Sequence, residues 1–336
     1  MKKLFLKLLL ISSPILAVLL LYVWKDPFKV LYHYDAYYKK DDSSVVFDYN
    51  SDFVSTRTLI NNFSKYQYDS YIMGGSRSGY FEMKDWEGHI HDTNTYHFNA
   101  IFESLYGVEK KLQFLDKQGK PIKNLLLVID AKLLSKVGND PRYTVTKDPI
   151  TSGESAIRFQ LNYVKGFFNY KFLYSYCDWL ATGKVKKYMR QQQLLYRTYI
   201  KYDVKRNETI QVYANEKIIY GKKDYYQVNK DMFYKRDTKQ QYGQPVIGDT
   251  QMAMLRNIKA ILNKKGTNYK IVISPLYNQV KLAPMDLKKL QGIFGAGSVY
   301  DFAGINNITN DVHNYYEIYH YRPQAAKQMM DSIYAR

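Results

Sequence analysis

No intrachain disulfide is possible, because Cys177 is the one cysteine, and stability outside the cytoplasm must come from the apolar core alone. Cys177 itself is expected to sit buried as a small apolar residue. Proline is scarce too, at 9 in 336 residues, while 46% of the residues are hydrophobic. That balance excludes a disordered chain and suffices for one large α/β domain or two smaller ones. No internal repeat, zinc-ligand spacing, phosphate loop or glycine-rich dinucleotide signature occurs, and His91, His97 and His313 stand apart without ligand spacing; no cofactor and no metal is expected. Acidic residues are the minority charge, 31 Asp and Glu against 49 Lys and Arg, a formal net charge of +18. The excess favours an anionic partner surface: phospholipid headgroups, an acidic wall polymer or exopolysaccharide, or nucleic acid.

What the chain has in abundance is tyrosine, 35 residues from Tyr22 to Tyr334. Tyrosine suits half-buried packing and equally the stacking of sugar rings. The long apolar run is at the N-terminus, where Lys2, Lys3 and Lys7 precede seventeen uncharged residues, Leu8 to Trp24, followed by Lys25 and Asp26. A helix of that length rises about 25 Å, the short end of a bilayer span, which snorkelling of the flanking lysines extends. Leu19 to Trp24 offers no small residue for signal cleavage and there is no lipobox cysteine, so residues 1–25 are expected to remain as a single-pass anchor. Positive charge ahead of the run places the N-terminus in the cytoplasm and the rest of the chain outside. An extracytoplasmic domain seldom meets nucleic acid, which leaves the membrane and a glycan or wall polymer as partners.

Residues 26–66 read as a polar, aromatic stalk or leading segment with a Lys-Lys-Asp-Asp-Ser-Ser cluster at 39–44. From residue 67 onward, apolar strands alternate with helical periodicity. A strand at 68–73 runs into Gly74-Gly75-Ser76-Arg77-Ser78; a helix follows at 98–115, and Leu125 to Asp130 is an unbroken apolar strand. Late in the chain come a helix from Thr250 to Lys264 capped by Asp249, a strand at 269–274 stopped by Pro275, a helix at 284–294, a strand at 298–302 and a closing helix at 322–335 begun by Pro323. Strand alternating with helix implies an α/β fold, a parallel sheet wrapped by helices in three layers. Between about 141 and 245 the rhythm lapses into a Tyr-rich, basic segment with helical stretches at 155–200 and no apolar strand, read as an insertion over the active edge of the sheet.

Glycines at a strand end permit the tight turn that presents Ser76 at the carboxyl edge, where ligands bind in open α/β sheets. A hydroxyl nucleophile needs a base in hydrogen-bond reach and a carboxylate to orient that base. Glu317-Ile318-Tyr319-His320-Tyr321-Arg322-Pro323, just ahead of the last helix, carries both. The candidates are therefore Ser76 as nucleophile, His320 as base and Glu317 as orienting acid.

These two motifs resemble the SGNH (GDSL-like) hydrolase and acyltransferase superfamily. Gly74-Gly75-Ser76-Arg77-Ser78 is similar to its first block, a Gly-x-Ser turn after the first strand, and Glu317-x-x-His320 is similar to its last block, usually Asp-x-x-His. Tyr321-Arg322-Pro323 resembles envelope members, such as the lipoteichoic acid D-alanylation and alginate O-acetylation proteins. The resemblance covers residues 68–135 and 250–336, about half the chain. It implies an SGNH-like domain over 67–336, with an oxyanion or substrate region at Gly75, Arg77 and Asn99. The chain departs from the pattern at two places: His97-Phe98-Asn99-Ala100 stands where the second block supplies a glycine, and Asp130-Ala131-Lys132 where the third supplies Gly-x-Asn-Asp. Gly138-Asn139-Asp140 reads as a surface turn. The implied activity is that of an esterase or O-acyltransferase on an extracytoplasmic glycan or wall polymer, with a membrane-bound acyl-donor protein as a further partner. The alternative is a catalytically inactive relative that binds glycan or serves as an envelope scaffold.

Overall fold

The structure, a computed structural model, describes residues 2–38, 45–46, 49–191, 195–197, 200–211 and 224–335; the 39–44 cluster lies outside them. In chain order the helices used below are Lys2–Lys25 (α1), Ser51–Asn62 (α2), Met83–Ile90 (α3), Leu105–Lys117 (α4), Ala156–Phe167 (α5), Tyr170–Thr182 (α6), Asp249–Lys264 (α7), Pro284–Phe294 (α8) and Pro323–Tyr334 (α9). The strands are Ser70–Gly74 (β1), Thr95–His97 (β2), Asn124–Ile129 (β3), Ile200–Asp203 (β4), Glu208–Gln211 (β5), Asn268–Ile273 (β6), Val299–Asp301 (β7), Tyr315–Glu317 (β8) and His320–Tyr321 (β9).

Every residue of β1, β2 and β3 is buried, as a strand covered on both faces requires. Five strands form one sheet in the order β7-β6-β3-β1-β2, each neighbour parallel. Successive side chains go to opposite faces. Tyr71, Met73, Leu125, Leu127, Ile271 and Ile273 join a core with α2, α4, α7 and α8, whereas Ile72, Leu126, Val128 and Val272 meet α3 and α9. The result is the expected three-layer α/β arrangement, and each such aliphatic side chain contributes about 1.5–3 kcal/mol on leaving water. In this strand order the chain leaves β1 in one direction to reach β2 and returns across it to β3. The crevice between the carboxyl ends of β1 and β3 is thus the topological switch point, the usual ligand site of such sheets.

Several boundaries differ from the sequence reading. The helix expected at 98–115 starts at Leu105, because Ser104 caps it by accepting from the Gly107 N–H and Phe102 takes a left-handed φ of 56°. Gly248, not Asp249, is the N-cap of α7. Helix α2, in the leading segment, belongs to the domain core through fully buried Leu59. The segment 141–245 does hold strands: β4 and β5 pair as an antiparallel hairpin. Its tip covers edge strand β2, with the His97 N–H donating to the Arg206 carbonyl at 2.9 Å and the Asn207 amide to the His97 carbonyl at 2.7 Å, so the edge is protected from further pairing. Cys177 is exposed on α6 rather than buried, because the buried side of that helix is taken by Phe172, Ser175 and Tyr176. The N-terminal apolar run is helical throughout, within α1. Among the described residues no helix is long and apolar enough to cross a membrane.

Candidate active site

The turn after β1 begins with a residue only glycine can be. Gly74 has φ +146°, and a Cβ there would stand 2.5 Å from the Val128 carbonyl oxygen on neighbouring β3. We expect Gly74→Ala to cost about 2–3 kcal/mol and to displace the turn, seen as a lower unfolding midpoint together with loss of Ser76 reactivity. Gly75 then caps a short 3-10 turn, Ser76–Tyr80, and Ser78 locks it by donating from both N–H (3.0 Å) and Oγ (2.7 Å) to the Gly75 carbonyl. The first N–H groups of such a turn have no acceptor within it, so Ser76 sits beside backbone donors at the sheet's carboxyl edge.

Glu317 and His320 come from the β8–β9 hairpin, where they are paired residues across the two-residue connection Ile318-Tyr319. The Glu-x-x-His spacing is thus the spacing of a tight turn. The Glu317 carboxylate accepts from the Tyr319 N–H at 2.7 Å through Oε2 and contacts His320 Nδ1 through Oε1. His320 Nε2 in turn lies 2.8 Å from Ser76 Oγ. The structure therefore brings together all three residues that the sequence reading singled out as nucleophile, base and acid, across 244 positions of sequence. With His320 Nδ1–H donated to the carboxylate, Nε2 presents its lone pair to the serine hydroxyl, the arrangement that makes a hydroxyl nucleophilic. The His320 and Glu317 side chains keep 32% and 27% exposure, so the site opens to solvent.

The other expected residues fall differently. Arg77 is engaged by the Asp130 carboxylate at the end of β3 and donates to the Tyr319 carbonyl at 3.3 Å. Its charge is met within the protein, and it ties the serine turn, β3 and the hairpin together. Gly75 has open space where a Cβ would be. The Asn99 amide faces Gly79, 3.5 Å from where that residue's Cβ would stand, and borders a cavity of about 70 Å³ shared with Ser51, His97 and Asn207. Burial pulls the His97 imidazole down to about 4, so it is neutral at pH 7 and no second cation. Asn139 and Asp140 sit in a turn, bonded to Glu154 and Arg142.

Sequence reasoning missed the supports. Asp130 ends a buried apolar strand, and an acid there is the signal that could have pointed to it. The Tyr321 hydroxyl donates to the Arg77 carbonyl at 2.8 Å, and the Tyr80 ring lies 5.8 Å from the His320 ring. The returning part of the 141–245 segment grips the hairpin. Tyr225 donates to the Tyr316 carbonyl at 2.5 Å, Tyr226 to the Tyr315 carbonyl at 3.0 Å, and the Arg322 guanidinium stands 4.3 Å over the Tyr316 ring while donating to the Tyr226 hydroxyl at 2.8 Å.

Fold and site together define a parallel α/β protein with a Ser-His-Glu hydrogen-bond chain at its switch point. No family model matches the chain, and no curated protein matches it.

Proposed function

We propose that the chain is a serine-dependent esterase or O-acyltransferase of SGNH type acting on an O-acyl group of an extracytoplasmic glycan or cell-wall polymer, and that the N-terminal apolar run within α1 holds it to the membrane, its flanking lysines snorkelling to make up a length that falls short of a full span. The observation that carries the reading is the Ser76 Oγ to His320 Nε2 contact of 2.8 Å backed by Glu317. In the reaction, Ser76 attacks the ester carbonyl while His320 takes its proton. The oxyanion draws on the N–H groups at the start of the 3-10 turn. Collapse passes the His320 proton to the leaving alcohol and leaves an acyl-Ser76. Water or a sugar hydroxyl, deprotonated by His320, then attacks that ester and frees Ser76. The part-exposed His320 and Glu317 and the net charge of +18 suit a large anionic or glycan acceptor, and in the transferase version a membrane-bound protein supplies the acyl group.

Treatment of the full chain with a fluorophosphonate, read by intact mass, is expected to add one adduct to the wild type and none to Ser76→Ala. Absence of an adduct on both would overturn the catalytic reading and leave the fold as a non-catalytic glycan-binding or scaffold protein of the envelope.

A further inference from the structure

Two helices of the 141–245 segment pack sideways against the end of the N-terminal apolar run. Tyr22 is buried in a cluster with residues of α5 and α6, and Val18 and Leu21 pack partly against it. The Tyr22 and Phe167 rings are 5.2 Å apart, and just beyond α1 Phe28 stacks on Phe172 at 5.0 Å. A helix rises 1.5 Å per residue, so Val18 lies about 9 Å inside the run from its end at Trp24. Whatever depth those last turns occupy, α5 and α6 occupy it too.

The outer faces of the two helices suit a lipid boundary. On α5, Ile157 and Leu161 are 75% and 50% exposed; on α6, Tyr170 and Tyr174 are 74% and 65% exposed. Each pair is four residues apart and so shares a face. Arg158, Lys165 and Lys171 are exposed beside them, α5 has no acidic residue, and the lone acid of α6, Asp178, is held by Lys186 and Tyr188. On α1 itself Ile15, Leu20 and Trp24 are exposed at 56%, 70% and 73%, so α1 keeps apolar surface of its own where the helix pair packs against it. Apolar and tyrosine faces rimmed by cations are the mark of helices that lie in the headgroup region of an anionic bilayer.

We propose that α5 and α6 form a second, monotopic membrane contact: the pair lies in the outer headgroup layer of an anionic phospholipid bilayer, with Ile157, Leu161, Tyr170 and Tyr174 facing the acyl chains. The inference rests on the reading of α1 as the membrane anchor. It gives the 141–245 segment a seating role, distinct from the grip of Tyr225 and Tyr226 on the hairpin.

The chain carries its own probe, since its lone thiol, Cys177, is exposed on α6 three residues past Tyr174. The full-length protein, labelled there with an environment-sensitive fluorophore and reconstituted into phosphatidylglycerol-containing vesicles, is expected to be quenched by bromolipids and shielded from aqueous iodide. Ile157→Glu with Leu161→Glu should lower the bromolipid quenching severalfold. A control probe placed by Ile15→Cys in a Cys177→Ser background reports on α1 itself. Quenching of the control but not of Cys177 overturns the proposal while the anchor stands, and puts water or a protein partner against the helix pair. Quenching at neither position sinks the anchor reading, and the proposal falls with it.

Discussion

Phosphonylation of Ser76 is expected to slow by about 10³-fold in His320→Ala, the middle of the range for a general base. The reason is local: Nε2, 2.8 Å from Ser76 Oγ, is the acceptor that receives the Ser76 proton, and a water entering the space left by the imidazole is a far weaker base. Glu317→Gln tests the orienting acid more sharply. One carboxylate oxygen already accepts from the Tyr319 N–H at 2.7 Å, so the glutamine carbonyl takes that place and its amide NH₂ faces His320 Nδ1. The imidazole then accepts at Nδ1 and carries its proton at Nε2, facing Ser76, which is the wrong tautomer. A loss of about 10²-fold or more is expected although the overall geometry is kept. Adduct formation followed by intact mass over time measures both, and a Glu317→Gln variant that reacts at the wild-type rate would remove Glu317 from the mechanism.

The largest effect on stability is expected at a second buried cluster. Asp52 of α2, Glu103, Lys111 of α4 and Lys147 are each less than 5% exposed. Lys111 Nζ lies 3.0 Å from Asp52 and 2.7 Å from Glu103, and Lys147 Nζ is 3.1 Å from Asp52 and in contact with Glu103. The two acids and two lysines balance. Lys147→Met leaves a buried carboxylate short of a partner and should cost about 3–5 kcal/mol, read as a fall in the unfolding midpoint of the full chain. The cluster also fixes a pH window. Burial pushes the Asp52 carboxyl up, but Lys111 and Lys147 outweigh it and hold it at about 2, below its ordinary 3.8. A depressed folded value means the stabilisation is complete above about pH 4 and is lost as pH falls towards 2; roughly 2 kcal/mol is at stake. An unfolding midpoint flat across that interval would contradict the assignment. Gly107 is part of the same design, since a Cβ there would collide with Glu103 Oε1 and come within 2.6 Å of Lys147 Cε.

Strands buried on both faces were the easiest elements to read, because Leu125 to Ile129 admits no polar residue and ends at an acid. The catalytic candidates were legible for a related reason: paired glycines at a strand end, and an acid three residues before a histidine, are local signals with local causes. The hairpin of β4 and β5 left no such trace. Its strands, IKYD and ETIQ, have no apolar run, and they are held by pairing with each other and by the His97 and Asn207 bonds to β2. The Arg77–Asp130 pair was invisible because it depends on register: β1 and β3 place Gly74 opposite Val128, which brings side chains 53 positions apart in sequence to one edge. Cys177 was misplaced because composition ranks cysteine as a core residue, while its position on α6 decides the matter.

The β8–β9 hairpin divides the site into two bodies. Glu317 and His320 are joined by their own short turn, so acid and base travel as one piece whatever the rest of the chain does. Ser76 belongs to the sheet. Their meeting is a docking event between a hairpin and a strand end, secured on one side by Arg77 and Tyr321 and on the other by Tyr225, Tyr226 and Arg322. A displacement of the hairpin by an ångström or two would silence the serine while leaving the Glu-His pair assembled, and anything that pulls on the 224–236 stretch pulls on that joint.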